Sequence, residues 1–336
     1  MQGFDLATPT TVDEAVALLA REGSLAIAGG TDLLPNIKHE LFEPRTVVAL
    51  GGIEELRGIE LESDGTLSIG ATTTLAHVAA HDEVRCRATA LAQAASLVAG
   101  PQLRTMGTLG GNVLLDTRCQ WYNQSYFWRQ SLGFCLKKDG SVCHVIESGS
   151  KCVAAASNDT AAPLLTLDAE LEFASNTGRR RLPIAELYKS DGVANLRKEP
   201  GELLVRVRIP ALETGRERLG AYGKLRERGS IDFPLLGVAV RLDVVDDRIV
   251  HAALGAIALQ ARPLALQKAA AALIDAPASG PGFDDAVLAC AAAAARQLHP
   301  VANVPGDAQW RKEMAPVYVR ETVRAARAGT GPVHGR

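Results

Sequence analysis

The alternation of apolar and polar positions separates a first part of short elements from a second part of long ones. In the first part, Thr11 and Glu14 form a capping box in front of an apolar helical repeat. Asp64 and Gly65 interrupt an alternating run and predict a hairpin turn. The other predicted elements are a helix closed by Gly23, strands over 25–28, 46–50, 169–173 and 203–209, and a helical region from Thr74 to Gly100.

The last third of the chain follows a different pattern. Two alternating runs, 237–245 and 249–258, flank Asp246 and Asp247 and predict a long hairpin. Three apolar helical repeats come next, and strands followed by helices indicate a separate α+β domain. The three helices are predicted near 264–275, 283–298 and 309–328, and the tail after Gly329 is predicted to be disordered.

Composition adds limits on size and partners. A length of 336 residues is enough for two or three domains with their own cores. The net charge of −2 and the 22% of charged residues give no reason to expect nucleic acid or a membrane surface as a partner. The start of the chain lacks the pattern of a signal peptide, and no apolar run reaches the roughly 18 residues of a spanning helix. We therefore expect a cytoplasmic protein with reduced thiols.

Glycine-rich segments occur twice in the first part, at 28–33 and 107–112. Glycine lets the backbone approach a ligand, and exposed N–H groups such as those of Gly110 and Gly111 can hold phosphate oxygens. Neither segment has the G-x-G-x-x-G spacing of a Rossmann dinucleotide site, and each alone is compatible with a structural turn. Together, the two segments predict a clamp for a single diphosphate.

Four of the six cysteines lie directly after the second glycine segment, with the spacing C-x15-C-x7-C-x8-C. Four thiolates can complete an iron–sulfur cluster or an all-thiolate zinc site. Structural zinc favours ligands two to four residues apart, so a shortest gap of seven argues against a zinc ribbon. Six aromatic residues in the same stretch would shield a cluster from water or form a local core. The cysteines are Cys119, Cys135, Cys143 and Cys152, and the neighbouring His144 is a weaker candidate ligand.

Several charged residues outside these segments leave two interpretations each. Asp159 could bond a ribose or flavin hydroxyl, or cap a helix. Lys224 and Arg226 could place positive charge near an electron-rich ring, or lie on the solvated face of a strand. Asp232 could likewise either lie at the site or belong to a solvated surface. We find no hydrolase triad and no HExxH pattern, which argues against hydrolytic chemistry in this chain.

These motifs together resemble the flavin subunit of the molybdenum hydroxylase family over nearly the whole chain. The resemblance implies an α+β fold in which an FAD-binding domain of the vanillyl-alcohol oxidase type, 1–220, precedes a domain like the C-terminal domain of the carbon monoxide dehydrogenase flavoprotein, 221–330. The first domain would divide into subdomains of about 1–57 and 58–220, with the cysteine insert at 117–156. The implied FAD contacts are Gly29, Gly30, Thr31, Asp32, Leu33, Leu34, Thr108, Gly110, Gly111, Asn112, Asp159 and Lys224.

Most members of that family lack the cysteine insert, which is similar to that of the 4-hydroxybenzoyl-CoA reductase branch. The branch implies that the four cysteines hold a [4Fe–4S] cluster. It also implies a dimer of heterotrimers, with a large subunit that holds a molybdopterin cytosine dinucleotide centre and a small subunit that holds two [2Fe–2S] clusters. A ferredoxin would supply electrons, which pass through the [4Fe–4S] cluster and FAD to the partner subunits for reductive dehydroxylation. This chain would then contain no catalytic residue for the substrate.

Two alternatives stand beside this interpretation. The flavin subunit of a xanthine dehydrogenase-like hydroxylase would pass electrons outward to NAD, and the cysteine insert disfavours it. A scaffold subunit stapled by zinc would have no redox task, and the glycine segments disfavour it because a scaffold needs no diphosphate clamp. The identity of the aromatic substrate would be decided by the large subunit.

Overall fold

The computed structural model describes residues 3–335, and within that range the strands form three sheets. The first sheet has three parallel strands in the order β1-β3-β2. Thr11 caps the helix before β2 by accepting a hydrogen bond from the Glu14 N–H, as the capping box predicts. The reciprocal bond differs from the prediction, because the Glu14 carboxylate accepts from the Thr10 N–H instead of the Thr11 N–H. The elements are β1 (Asp5–Ala7), α1 (Val12–Leu19), β2 (Ser24–Ile27), α2 (Leu33–Lys38) and β3 (Thr46–Ala49).

The second sheet is antiparallel and has the strand order β4-β5-β8-β6-β7. Gly65 has a φ of +84°, which allows the tight turn predicted between β4 and β5. Ile69, Leu171 and Val207 are buried under short helices on one face. The elements are β4 (Ile59–Leu61), β5 (Leu67–Gly70), α3 (Leu75–Ala80), α4 (Asp82–Arg87), α5 (Thr89–Leu97), α6 (Pro101–Arg104), α7 (Leu109–Val113), α8 (Tyr126–Ser131), α9 (Ala161–Thr166), β6 (Glu170–Ser175), β7 (Gly178–Pro183), α10 (Ile184–Leu187) and β8 (Leu203–Ile209).

The third sheet contains the predicted long hairpin and has the strand order β12-β11-β10-β9-β13. Asp246 and Asp247 both have positive φ angles, 47° and 56°, as a two-residue hairpin turn requires. Two long helices pack on this sheet, and together they form the largest apolar core of the C-terminal part. The elements are β9 (Glu217–Leu225), β10 (Leu236–Val245), β11 (Arg248–Ile257), β12 (Leu264–Ala265), α11 (Gln267–Ala271), α12 (Gly280–Ala295), α13 (Ala308–Ala328) and β13 (Val333–Gly335).

Two predictions in the C-terminal part were wrong. The tail is not disordered throughout, because β13 pairs in parallel with β9, with Val333 opposite Gly223. The outer edge of β9 has unpaired backbone N–H and C=O groups, and the C-terminal segment can form hydrogen bonds with them. The helix predicted over 264–275 begins later, because Leu264 pairs with Ala256 at the other edge of the sheet.

Helices α5 and α9 separate the second sheet from the third and join the two halves of the chain. Ala94, Ala162, Tyr222 and Ile257 form a buried cluster at this junction. A Cβ added at Gly255 would lie 2.8 Å from Ala162 O, so strand and helix backbones are in close contact. The α+β class predicted from the sequence is confirmed. Over the part of the chain that is described, no helix combines the length and apolarity needed to span a membrane.

Candidate functional site

A cavity of about 550 Å³ lies beside β2 and α2, within the size range of small-molecule sites. Both glycine segments face it, as the clamp hypothesis requires. Leu34 does not line it, because its side chain packs against Gly30. The predicted contacts on its wall are Gly29, Gly30, Thr31, Asp32, Leu33, Thr108, Gly110, Gly111 and Asn112.

The two glycine segments touch through their backbones. A Cβ added at Gly29 would lie 1.8 Å from Met106 O and 3.0 Å from Gly107 N, at the start of the second segment. One added at Gly110 would lie 2.8 Å from Ala71 O, which is outside both segments. No side chain fits at either distance, so both positions depend on glycine for close approach. Contact of the two segments makes one continuous wall out of pieces that are far apart in sequence.

The polar groups of the second segment hold the loop itself. Thr108 caps α7 by accepting a hydrogen bond from the Gly111 N–H at 3.1 Å. The Gly110 N–H donates to Ala71 O at 2.8 Å. Asn112 Oδ1 accepts from both the N–H and the hydroxyl of Thr160. The prediction that the Gly110 and Gly111 N–H groups are free for phosphate was therefore wrong, since the helix turn and the neighbouring strand use them.

An arginine that the sequence reasoning missed closes one side of the cavity. Arg118 forms an ion pair with Asp32, whose carboxylate also accepts from Asn36 Nδ2 at 3.0 Å. The guanidinium lies 4.5 Å from the centre of the Phe233 ring. Burial lowers the pKa of Arg118 to about 10. Arg118 Nε and Asp116 Oδ2, both on cavity-lining residues, have no hydrogen-bond partner among the described residues, which leaves polar atoms for a bound ligand.

Asp159 and Lys224, predicted to contact the cofactor, do not line this cavity. Lys224 Nζ lies 3.1 Å from Asp159 Oδ1, and the Tyr222 hydroxyl donates to the same carboxylate at 2.8 Å. Burial raises the pKa of Asp159, although the Lys224 ammonium opposes the shift. Because Lys224 is fully buried and also donates to Leu97 O, the pair ties the third sheet to α5 and α9.

The loop after β9 runs from this ion pair to the cavity. Arg226 and Asp232 form a second ion pair at 2.5 Å, and Lys224 Nζ donates to Asp232 O at 3.3 Å. Ile231 has a φ of +56°, an unusual conformation for a branched residue. Ile231, Asp232 and Phe233 all line the cavity, so these charged residues position a part of its wall.

All four cysteines of the insert line one second, small cavity. Three are buried and Cys119 is half-buried, and all six cysteines of the chain are free thiols. Burial raises the pKa of the Cys119 thiol to about 12 and also raises the pKa of Cys152. A neutral thiol in such surroundings becomes a thiolate once a metal centre supplies positive charge. The four are Cys119, Cys135, Cys143 and Cys152.

Backbone contacts from outside the insert fix the last cysteine. The Cys152 N–H donates to Asp191 Oδ1 at 3.2 Å, and the Gly192 N–H donates to Cys152 O at 2.9 Å. A Cβ added at Gly192 would lie 2.9 Å from Cys152 Sγ. His144 also lines this cavity, and its Nε2 lies 2.6 Å from Phe134 O, which ties the ring to the backbone.

Among residues 3–335, no three histidine, cysteine or acidic side chains are grouped so that they could hold one metal ion. Tetrahedral zinc with Zn–S bonds of about 2.3 Å needs sulfur atoms roughly 3.8 Å apart. The four thiols line one cavity, but the described residues do not group them closely enough for such an ion.

Comparison with known proteins identifies the family of the chain. The model of the FAD binding domain in molybdopterin dehydrogenase matches residues 2–212. The chain belongs to the FAD-binding subunits of the molybdenum hydroxylases. The model of the CO dehydrogenase flavoprotein C-terminal domain matches residues 221–326 of this FAD-binding subunit. Most of the cavity walled by the two glycine segments, which we call the flavin cavity, belongs to the FAD-binding domain, and Ile231, Asp232 and Phe233 from the second matched range complete its wall. Its unpartnered polar atoms fit that cofactor.

Relatives of this FAD-binding subunit come from several enzymes. The carbon monoxide dehydrogenase medium chain of Afipia carboxidovorans is 29% identical, over 97% of both chains. The FAD-binding subunit of an aldehyde oxidoreductase from Escherichia coli (strain K12) is 32% identical, over 77% of this chain and 82% of that one. A crystal structure of Cu,Mo-CO dehydrogenase superposes with a TM-score of 0.77 at 29% identity, over 98% of this chain and 99% of the other.

Proposed function

We propose that this chain is the flavin and iron–sulfur subunit of a molybdenum-containing aromatic acyl-CoA reductase, similar to 4-hydroxybenzoyl-CoA reductase. The observation that carries the proposal is the convergence of four thiols on one cavity beside the flavin cavity. Cys119, Cys135, Cys143 and Cys152 would hold a [4Fe–4S] cluster. Such a cluster exchanges single electrons and FAD exchanges two, so the pair would connect a one-electron donor to a two-electron reduction.

The proposed partners follow from the same assignment. A large subunit would hold the molybdopterin cytosine dinucleotide centre, a small subunit would hold two [2Fe–2S] clusters, and the assembly would be a cytoplasmic dimer of heterotrimers. A ferredoxin would be the electron donor. Two relatives, a medium chain and an FAD-binding subunit, support a chain that works within a larger enzyme.

A second candidate is a xanthine dehydrogenase-like subunit that passes electrons outward to NAD. The xanthine dehydrogenase FAD-binding subunit of Escherichia coli O157:H7 is 32% identical over 71% of this chain, which favours this candidate. The four-thiol cavity does not follow from that function, because transfer from FAD to NAD needs no further cluster in this subunit.

The test is the iron and acid-labile sulfide content per FAD of anaerobically purified protein, together with EPR spectra after dithionite reduction. Four irons per FAD and a reducible cluster signal support the proposal. The variant Cys135→Ser should lose this signal and its reduction by ferredoxin while it retains FAD. The exposed Cys86 gives the matched control, since Cys86→Ser should keep both. Flavin without iron, or one zinc ion per chain, would contradict the proposal, and rapid reduction of NAD would favour the second candidate.

A further inference from the structure

Neighbouring residues line the flavin cavity and the four-thiol cavity. Arg118 lies on the wall of the first and Cys119 on the wall of the second. An ion pair also connects the two walls. Asp116 lines the flavin cavity, Lys137 lines the four-thiol cavity, and Lys137 Nζ lies 2.7 Å from Asp116 Oδ1. The ion pair therefore lies across the partition between the two cavities.

The Lys137 ammonium is held in one place. It donates to Asp116 Oδ1 and Thr117 Oγ1, both at 2.7 Å, and to Gly192 O at 2.5 Å. Three acceptors use all three of its N–H groups. Its side chain is only 4% exposed, and the ammonium lies 4.8 Å from the centre of the Tyr122 ring. Because the ammonium is immobilised and poorly screened by water, it exerts a steady positive electrostatic potential on nearby groups.

The direction of that action follows from the charge of the neighbouring group. One electron that enters a thiolate-bound cluster makes it more negative by one unit, and a nearby positive charge stabilises the reduced form. Lys137 supplies positive charge on the cluster side of the partition, while Asp116 places negative charge on the flavin side.

We propose that Lys137 raises the reduction potential of the cluster held by the four cysteines and that Asp116 limits the size of this increase. The inference rests on the proposed [4Fe–4S] cluster. The step concerned is the transfer of one electron from a reduced one-electron carrier to the cluster, with no bond formed or broken. In this proposal Lys137 does not ligate the cluster and acts only through its charge, which changes the reduction potential.

The experiment is an EPR-monitored redox titration of the complete enzyme, with iron, sulfide and FAD contents determined for every variant. At a fixed potential, Lys137→Met should lower the ratio of reduced to oxidised cluster at least tenfold, which corresponds to a shift of about 59 mV for one electron. Asp116→Asn removes the negative partner and should shift the potential upward. Lys138→Met is the matched control, because the partly exposed Lys138 side chain pairs with Asp139 at 3.5 Å and does not line the four-thiol cavity, and it should leave the potential unchanged.

Opposite shifts for the two partners would separate an electrostatic role from a structural one, because loss of packing has no reason to move the potential in both directions. Lys137→Arg keeps the charge and should stay near the wild-type potential. If Lys137→Met loses its cluster, the upward shift in Asp116→Asn still tests the proposal. Unchanged potentials in iron-replete variants would overturn this inference alone. Wild-type enzyme without a four-iron cluster would overturn it together with the proposed function.

Discussion

Replacing Gly29 by alanine tests the contact between the two glycine segments. The new Cβ would lie 1.8 Å from Met106 O and 2.4 Å from Met106 C, and both of these atoms belong to the backbone. Neither segment can yield by a side-chain rotation, so the two must separate by roughly 1 Å. In enzyme catalysis a misplacement of about 1 Å costs about 10²-fold in rate, and we take the same order of magnitude for a binding wall held in contact with its ligand. We therefore expect FAD affinity to fall about 100-fold, or about 2.7 kcal/mol.

The measurement is a fluorescence titration of apoprotein with FAD, together with the FAD content of protein as purified. Gly51→Ala is the matched control, because a Cβ there has no atom within 4 Å and the residue does not line the cavity. The free energy of unfolding is measured for both variants, since overpacking by itself destabilises a protein by about 1–3 kcal/mol. Wild-type FAD affinity in Gly29→Ala would refute the reasoning that the two segments form one binding wall.

Three further changes test the surroundings of the two cavities. Gly192→Ala places a Cβ 2.9 Å from Cys152 Sγ and should lower iron content without loss of FAD. Lys224→Met leaves Asp159 buried without its partner and should lower the free energy of unfolding by about 3–5 kcal/mol, measured in urea, with FAD still bound. An arginine hydrogen bond holds the pKa of Glu202 below its usual value, so its stabilising contribution is complete above about pH 4.3 and is lost as pH falls through the lowered pKa. Glu202→Gln should therefore cost about 1 kcal/mol at pH 7 and progressively less in acid.

Each of these expectations has a result that contradicts it. Full iron content in Gly192→Ala would mean that the loop can move away from the sulfur. If Lys224→Met lost FAD while its free energy of unfolding stayed unchanged, the result would support the FAD contact that the sequence predicted for Lys224. A difference in stability between wild type and Glu202→Gln that grows as pH falls would show that the Glu202 pKa is not lowered on folding.

Local sequence determined the parts of the fold that depend on neighbouring residues. The Thr11 cap forms the predicted helix start, because its hydroxyl and the Glu14 N–H lie one helical turn apart. The hairpin at Asp246 and Asp247 formed because those two residues tolerate positive φ. The cysteine spacing drew attention to four thiols that line one cavity in the structure, and their role as cluster ligands stays a prediction.

Only the tertiary structure decided what lies opposite each of these residues. Asp159 and Lys224 were predicted to bind a cofactor, yet folding places them against each other, because a buried charge is stable only beside its opposite. The contact of Gly192 with Cys152 and the Arg118–Asp32 pair carry no sequence signal, since their members come from separate loops. Sequence thus determined the kinds of groups available for cofactor binding and their local turns. The packing of the loops decided which groups face a cavity and which are used to hold the protein together.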